Sequence, residues 1–329
     1  MDMSAKPDAE PHLLENGLEI VPWHDVSFNS LTIQPFNPST LDSRLSTYEL
    51  LDSGDGRKLE RFGRVTLARP CSQAIWKPQL SAAEWERADA SFDREKGLNW
   101  HGRDRLPAHW EIAVDDIRFR LSGTDFGHLG IFPEQRAQWR WIGETVRDAG
   151  RKVSVLNLFA YSGGSTLAPA LAGAEVCHLD ASQSMVDWAR ENAALNNLQD
   201  APIRWIAEDA HKFLGREIRR GRRYDAIILD PPSFGRGAKG EVYKIERDLS
   251  KTLALCRELL SPTPLFIVLS AHTPGVTPTV LENLLLDALE GLSPALQSGE
   301  MLLSGAKGVR PVPSGCYARA TFHFQEVLK

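Results

Sequence analysis

The sequence has little cysteine. Cys71, Cys177, Cys256 and Cys316 are spread over a chain of 329 residues. No two stand close enough for a metal knuckle, and four are too few for a disulfide framework. A reducing compartment, the cytoplasm, is expected. Long apolar runs are also missing. The longest, such as 265–269, fall far below membrane-spanning length. The N-terminus is acidic, carries Pro7 and Pro11 and lacks an apolar segment, so no signal peptide is expected. No internal repeat and no low-complexity tract stands out. Neither sign of charge dominates: 38 Lys+Arg face 43 Asp+Glu, a net of −5. A strongly basic nucleic-acid coat is excluded, whereas a local basic face is not.

What is present is the composition of a folded protein. Hydrophobic residues make up 42% and charged residues 25%, which excludes a disordered or collagen-like chain. The length predicts two domains, or one domain with an extension. The charge is unevenly spread. Residues 1–150 hold 18 basic and 24 acidic side chains, a net of −6, and the remainder hold 20 and 19, a net of +1.

The first 30 residues show no sustained period and read as loosely attached. Residues 47–70 read as two strands around Ser53-Gly54-Asp55-Gly56. More strand-like pieces follow over 75–132. The clearest has Ile112, Val114, Ile117 and Phe119 alternating around Asp115-Asp116. Pro133 then opens a helix with Trp139, Trp141, Ile142 and Val146 near one face, and Gly150 stops it.

From 152 the pattern changes. Strands are expected at 152–159, 175–179, 203–207, 224–229 and 264–270. Helices between them run to Leu171, over 182–196 with Ser182 as N-cap, over 209–220, over 246–260 and over 277–289. Such alternation predicts a parallel, doubly wound sheet. Residues 293–304 and 317–327 add two successive strands, a closing antiparallel hairpin at the sheet edge. The fold class is α/β: a mostly parallel seven-stranded sheet with a β-rich N-terminal region. The boundary is set at 1–125 and 126–329.

Ligands of such a sheet bind outside the carboxyl ends of the strands. The first strand ends in Asn157-Leu158-Phe159-Ala160-Tyr161-Ser162-Gly163-Gly164. Adjacent glycines allow a sharp turn and close approach to a ligand, or serve the turn alone. The spacing matches neither a dinucleotide fingerprint nor a Walker loop. The second strand ends in Asp180, where an acid can accept both hydroxyls of a ribose. Ser182 is free to cap the next helix, which favours that role for Asp180. The third ends in Glu208-Asp209-Ala210, an acceptor for an adenine amine or a plain helix cap. The fourth ends in Asp230-Pro231-Pro232-Ser233-Phe234-Gly235. Two prolines stiffen the exit and hold acid and aromatic in one shape, suited to a planar base.

These motifs resemble class I S-adenosylmethionine-dependent methyltransferases. More narrowly, residues 125–325 resemble the bacterial ribosomal RNA large-subunit methyltransferase-like family. The matching stretches are FAYSGG, LDAS, the helix segment ARENAALN and DPPSFG. The resemblance implies that Asn157 and the turn Phe159, Ala160, Tyr161 and Gly163 hold the methionine moiety. It puts Asp180 on the ribose, with Ala181 and Ser182 alongside, and Asp209 and Ala210 beside the adenine. Asp230, Pro231 and Phe234 would line the methyl-transfer site, and Asp230 would also touch the cofactor. Phe132 and Gln135, in FGHLGIFPEQRAQW, would cover the cofactor. S-adenosylmethionine is the implied cofactor, and an RNA nucleobase the implied acceptor. No metal is expected, because no His/Cys cluster suggests one, and no membrane partner. The oligomeric state is not legible.

Two departures narrow the chemistry. Cytosine carbon-5 methylation needs a cysteine thiolate, which relatives of that kind carry after the fifth strand. This sequence has Ala271-His272 there, so direct transfer without a cysteine adduct is expected. The aromatic that follows the prolines in amine methyltransferases is displaced by one, since Ser233 precedes Phe234. His272 either helps orient the acceptor or is structural. The arginines at 216, 219, 220, 222 and 223 are expected on the amino edge of the sheet, away from the site, complementing a helix dipole. Arg136, Arg140, Arg236, Lys239 and Lys244 are the candidates for phosphate contacts. Other readings are a methyltransferase of proteins or small molecules, a cofactor-binding module without catalysis and, more distantly, a nicotinamide oxidoreductase.

Overall fold

Strand and helix periods alternate along this chain, and the fold follows them. In a computed structural model, the described residues are 47–94, 99–237 and 240–322. The readings of residues 1–30, of Lys239 and of the tail strand beyond 322 lie outside them.

The front of the chain is a five-stranded sheet in simple sequence order: β1 (Tyr48–Gly54), β2 (Arg57–Phe62), β3 (Val65–Pro70), β4 (Ala90–Asp93) and β5 (Asn99–His101), with a short helix α1 (Ala82–Trp85) before β4. Residues 47–70 form three strands, not the two expected. Asp55 and Gly56 both have positive φ and close the first hairpin, as the Asp-Gly signal predicts. The second turn, Gly63-Arg64, lacks that signal. A separate hairpin follows, β6 (Trp110–Val114) and β7 (Ile117–Leu121), turning at Asp115-Asp116. Pro133–Gln135 form one 3₁₀ turn, and α2 (Arg136–Asp148) continues from it. Trp139, Ile142 and Val146 are buried on one face, while Trp141 packs edge-on against Phe266.

The main sheet has seven strands. They are β8 (Ser154–Leu158), β9 (Glu175–Asp180), β10 (Ile203–Ala207), β11 (Ala226–Leu229), β14 (Phe266–Ala271), β15 (Ala295–Leu303) and β16 (Val312–Thr321); β12 (Phe234–Arg236) and β13 (Val242–Lys244) form a small hairpin apart from it. The helices between are α3 (Gly164–Leu171), α4 (Gln183–Leu195), α5 (Ala210–Arg219), α6 (Ile245–Glu258) and α7 (Pro278–Ala288). The order is β10-β9-β8-β11-β14-β16-β15. The first five strands are parallel, and β16 runs antiparallel to both neighbours. Strand order reverses between β8 and β11, which opens a crevice at their carboxyl ends.

Alternate residues of each strand feed opposite cores. Val155, Val176, Ile228 and Val268 join α2, the hairpin β6–β7 and the five-stranded sheet. Leu156, Leu179, Ile227 and Leu269 join α5, α6 and α7. Phe119 of β7 is fully buried against Trp139, with ring centroids 5.2 Å apart. Truncating such a ring costs about 3–5 kcal/mol. The hairpin β6–β7 is thereby anchored to the same face of the main sheet as α2.

Candidate active site

The turn after β8 is conformationally unusual. Phe159 and Tyr161 have φ of 56° and 49°, and Gly163 has φ of 97°. Two non-glycine residues in this region mark a turn held by its surroundings. Here the ties are to β9: Ala160 N–H donates to Leu179 O (3.0 Å), and Tyr161 N–H to Asp180 Oδ2 (2.9 Å). Asn192 Nδ2 donates to Ser162 O (2.9 Å). Gly163 passes so close to α4 that a Cβ would lie 3.0 Å from that of Ala189.

Asp180 joins two turns. Its Oδ1 accepts Ser182 N–H (2.9 Å) while Oδ2 accepts Tyr161 N–H. Burial pushes its carboxyl above the usual range, against these backbone donors. Ser182 stands at the N-cap position of α4, but its side chain does not cap the helix. Its hydroxyl pairs with Ser184 Oγ (2.9 Å) instead. The expected division, with Ser182 capping and Asp180 free, is therefore corrected: Asp180 organises the turn, and the remaining lone pair on each oxygen is left for a ligand. Asp209 does cap α5, accepting Lys212 N–H at 3.0 Å. Glu208 is ion-paired with Arg216.

At the fourth strand end, Asp230 is held from several sides. Oδ2 accepts Gln135 Nε2 (3.1 Å), and Oδ1 accepts Ser270 Oγ–H (2.8 Å). Gln135 Nε2 also donates to Ser270 Oγ (2.9 Å). The Pro231-Pro232 exit is tied to the end of β14 by Ser233 Oγ and Thr273 Oγ1, 2.7 Å apart. His272 stands beside this group. Its Nδ1 is 3.5 Å from Asp230 Oδ1, and its Nε2 is 3.2 Å from Glu134 Oε1. Burial alone would lower the His272 pKa, but Asp230 and Glu134 outweigh it and lift it to about 10. Burial alone would raise that of Glu134, but His272 outweighs it and brings it down to about 2. His272 is thus an imidazolium between two carboxylates.

One cleft of about 700 Å³ runs past these strand ends, within the range of small-molecule sites. Phe132, Phe159 and Tyr161 line it with Asp180, Ala181 and Ser182. Asp209, Ala210, Asp230, Pro231 and Phe234 line it further along. The ring centroids of Phe132 lie 5.2 Å from Tyr161 and 5.4 Å from His272. Phe234 is half exposed, with the Arg236 guanidinium 5.6 Å from its ring centre. Gln135, Asn157 and Ala160 are buried and line a small inner recess. Asn157 Nδ2 donates to Thr166 Oγ1 (2.9 Å). Gly163 lines neither space and acts through backbone geometry.

Sequence reading missed Ser270, and also Glu134, although the latter stands within FGHLGIFPEQRAQW. It also missed Lys58, Arg69 and Arg94, which line the cleft from the five-stranded sheet. Two expected phosphate contacts are corrected: Arg136 and Arg140 both pair with Asp115 at the β6–β7 turn. Arg216 and Arg219 stand in the last turn of α5, and Arg220, Arg222 and Arg223 follow it towards the amino end of β11, as expected; Arg216 nevertheless reaches back to Glu208, which lines the cleft, and Arg220 pairs with Glu217. The four cysteines are free and buried, and none lines the cleft. Burial pushes Cys177 up to about 12 and Cys316 up to about 11.

S-adenosylmethionine, the cofactor implied by the resemblance, suits this cleft on two counts. Asp180 presents one free acceptor per oxygen, and aromatic rings line the same stretch. Among the described residues there is no group of His, Cys, Asp and Glu that could hold a metal ion, and no helix long and apolar enough to cross a membrane.

Comparisons with known proteins agree with this geometry. A family model described as S-adenosylmethionine-dependent methyltransferase matches residues 75–302. A crystal structure of the S-adenosylmethionine-dependent methyltransferase from Agrobacterium tumefaciens is similar at 39% identity and a TM-score of 0.80, covering 85% of this chain and 91% of that one. Among curated proteins, the ribosomal RNA large subunit methyltransferase K/L of Shewanella baltica is 34% identical over 174 residues, 52% of this chain. That of Shewanella oneidensis is 32% identical over 173 residues. The chain spans about a quarter of the length of these curated relatives, 24% and 23%.

Proposed function

The chain belongs to the S-adenosylmethionine-dependent methyltransferase family, and from that premise we propose that it methylates a nucleobase of RNA, with ribosomal RNA the first class to test. The observation that carries this reading is the half-exposed Phe234 beside Asp230 in the cleft, with Arg236 over its face. A flat ring next to a fixed carboxylate takes a planar base by stacking and by hydrogen bonding. The relatives named as ribosomal RNA large subunit methyltransferases support the same substrate class.

Bound S-adenosylmethionine supplies a methyl group on a sulfonium, an electrophile that is already activated. The work left to the chain is alignment. In this reading Asp180 takes the ribose hydroxyls, Asp209 and Ala210 flank the adenine, and the Phe159–Gly163 turn with Asn157 receives the methionine end. Phe132 covers the cofactor, and Gln135 acts from beneath through Asp230. Asp230 and Pro231 orient the acceptor atom, with His272 and Ser270 holding the carboxylate in place. No thiol is poised to add to a pyrimidine, because all four are buried, so transfer is a direct displacement. We assign the catalytic part to the domain at 126–329 and, from the β-rich region at 1–125, the acceptor side to the described strands β1–β5. The reduced thiols fit a cytoplasmic setting.

The test is transfer of labelled methyl from S-adenosylmethionine to separated RNA, protein and metabolite fractions. Label in RNA, lost with Asp230→Ala, is expected. Label confined to protein or metabolites would overturn the substrate.

A further inference from the structure

Three cations reach the cleft from outside the main sheet. Lys58 on β2, Arg69 on β3 and Arg94 just after β4 all line it. These strands are neighbours in the five-stranded sheet. Lys58 and Arg69 are direct cross-strand partners. Like charges placed opposite one another destabilise a sheet, so this pairing needs a reason.

Part of the reason is Glu60. Its fully buried carboxylate lies 3.2 Å from Lys58 Nζ and 2.7 Å from Arg69 Nη2, and it accepts Tyr48 O–H at 3.2 Å. Arg69 Nη1 also donates to Gly127 O (3.2 Å). The two cations are therefore rigidly held, with side chains only 14% and 11% exposed. One carboxylate between two cations leaves one positive charge in excess. Arg94 adds another: it is exposed and has no ion pair among the described residues. The field is felt nearby. Burial first, then Arg69 and Arg94, lower the pKa of His128, which lines the same cleft.

We propose that the five-stranded sheet forms a phosphate-binding wall, in which Arg94 and the Lys58–Arg69 pair hold a phosphodiester of the acceptor strand next to the methylated nucleotide. This rests on the RNA reading above. The base goes to Phe234 and Asp230, and the backbone phosphate to the cations lining the other part of the cleft. A preorganised pair of cations with net positive charge is what an anion site requires. Two of the arginines first expected to contact phosphates, Arg136 and Arg140, are already engaged by Asp115. The wall also accounts for the costly cross-strand pair, since stability is traded for a fixed positive site.

The test is fluorescence anisotropy with a fluorescein-labelled single-stranded RNA 20-mer of mixed sequence, titrated at several KCl concentrations. Arg94→Ala is the main variant, because an exposed, unpaired side chain is not needed for folding. Binding is expected to weaken about five- to tenfold, with the salt slope reduced by roughly one phosphate contact. Arg222→Gln makes the same charge change at the opposite edge and leaves affinity within about twofold. Calorimetry with S-adenosylmethionine should give the same affinity for wild type and Arg94→Ala. Unchanged RNA binding by Arg94→Ala, with wild type binding normally, overturns the wall alone. So does a loss of cofactor affinity that matches the loss of RNA binding. A wild-type protein that binds no RNA overturns the RNA reading and the wall together. Competition by poly-glutamate as strong as by unlabelled RNA overturns the phosphodiester assignment.

Discussion

His272 Nε2 meets Glu134 Oε1 at 3.2 Å across 138 positions of sequence; His272 holds Glu134 in its charged form, and Asp230 first, then Glu134, hold His272 in its own. The pair joins the end of β14 to the turn before α2 and so fixes one wall of the cleft. Its contribution to stability has a defined pH window. For Glu134 the pKa falls from 4.5 to about 2, so its contribution is present above about pH 4.5 and lost as the pH falls through about 2. For His272 it rises from 6.5 to about 10, so its contribution is full below about pH 6.5 and lost as the pH rises through about 10. Glu134→Gln should therefore cost most between pH 4.5 and 6.5, about 2 kcal/mol for a partly buried pair. Urea denaturation of both proteins in acidic, mid-range and alkaline buffers checks this. A cost that stays constant across the range would mean the ion pair is not formed.

Phe234→Ala separates acceptor from cofactor. The ring is half exposed, so its removal should change stability by less than about 0.5 kcal/mol. Loss of one stacking contact is worth about 1–3 kcal/mol. KM for the methylated RNA should rise roughly tenfold or more, while the S-adenosylmethionine affinity stays the same. Equal kinetic constants for both proteins would remove Phe234 from the acceptor site.

The main sheet was legible because its strands are short apolar runs between amphipathic helices. Ile203–Ala207 and the Gln183–Leu195 helix fall where periodicity puts them. The parallel topology then brings residues 159–163, Asp180, Asp209 and Asp230 to one edge without further information. The hairpin β12–β13 was not legible, because its strands are largely exposed and only three residues long each. Glu134, Lys58, Arg69 and Arg94 reach the cleft from elements outside the main sheet. Their place is set by tertiary packing, which no spacing rule encodes. Arg136 misled for the same reason: Asp115, its partner, lies 21 residues earlier on a hairpin whose docking is tertiary.

Asp180 serves two ends at once, and its variants should show both. Asp180→Ala frees the N–H groups of Tyr161 and Ser182 and removes both acceptors facing the cleft. A loss of about 1–3 kcal/mol in stability is expected from the unsatisfied donors, together with at least a tenfold drop in S-adenosylmethionine affinity. Asp180→Asn keeps one acceptor oxygen and should fall between. Calorimetry showing wild-type affinity for Asp180→Ala would relocate the cofactor site.

A direct displacement leaves the thiols with nothing to do. Cys71→Ala and Cys316→Ala, alone and together, should retain methyl transfer within about twofold, apart from small packing losses. Iodoacetamide at neutral pH should react slowly with the folded protein, because burial raises each of these thiols. Activity abolished by Cys316→Ala in a folded protein would revive a covalent mechanism.

Two glycines flank α3 at opposite ends. Gly163 precedes the helix with φ of 97°, and Gly173 follows it with φ of 91°. Alanine at either position pays the left-handed cost, about 1 kcal/mol. Their surroundings differ. A Cβ at Gly173 meets nothing within 4 Å, whereas at Gly163 it lies 3.0 Å from Ala189 Cβ. Gly163→Ala must therefore also shift the turn that carries Tyr161, whose N–H anchors Asp180. Both variants should lose similar stability from the backbone term, with Gly163→Ala losing more. Only Gly163→Ala should weaken S-adenosylmethionine binding, by about tenfold or more, since the turn and the Asp180 carboxylate move together. Equal affinity in the two variants would mean that the turn does not set the cofactor geometry.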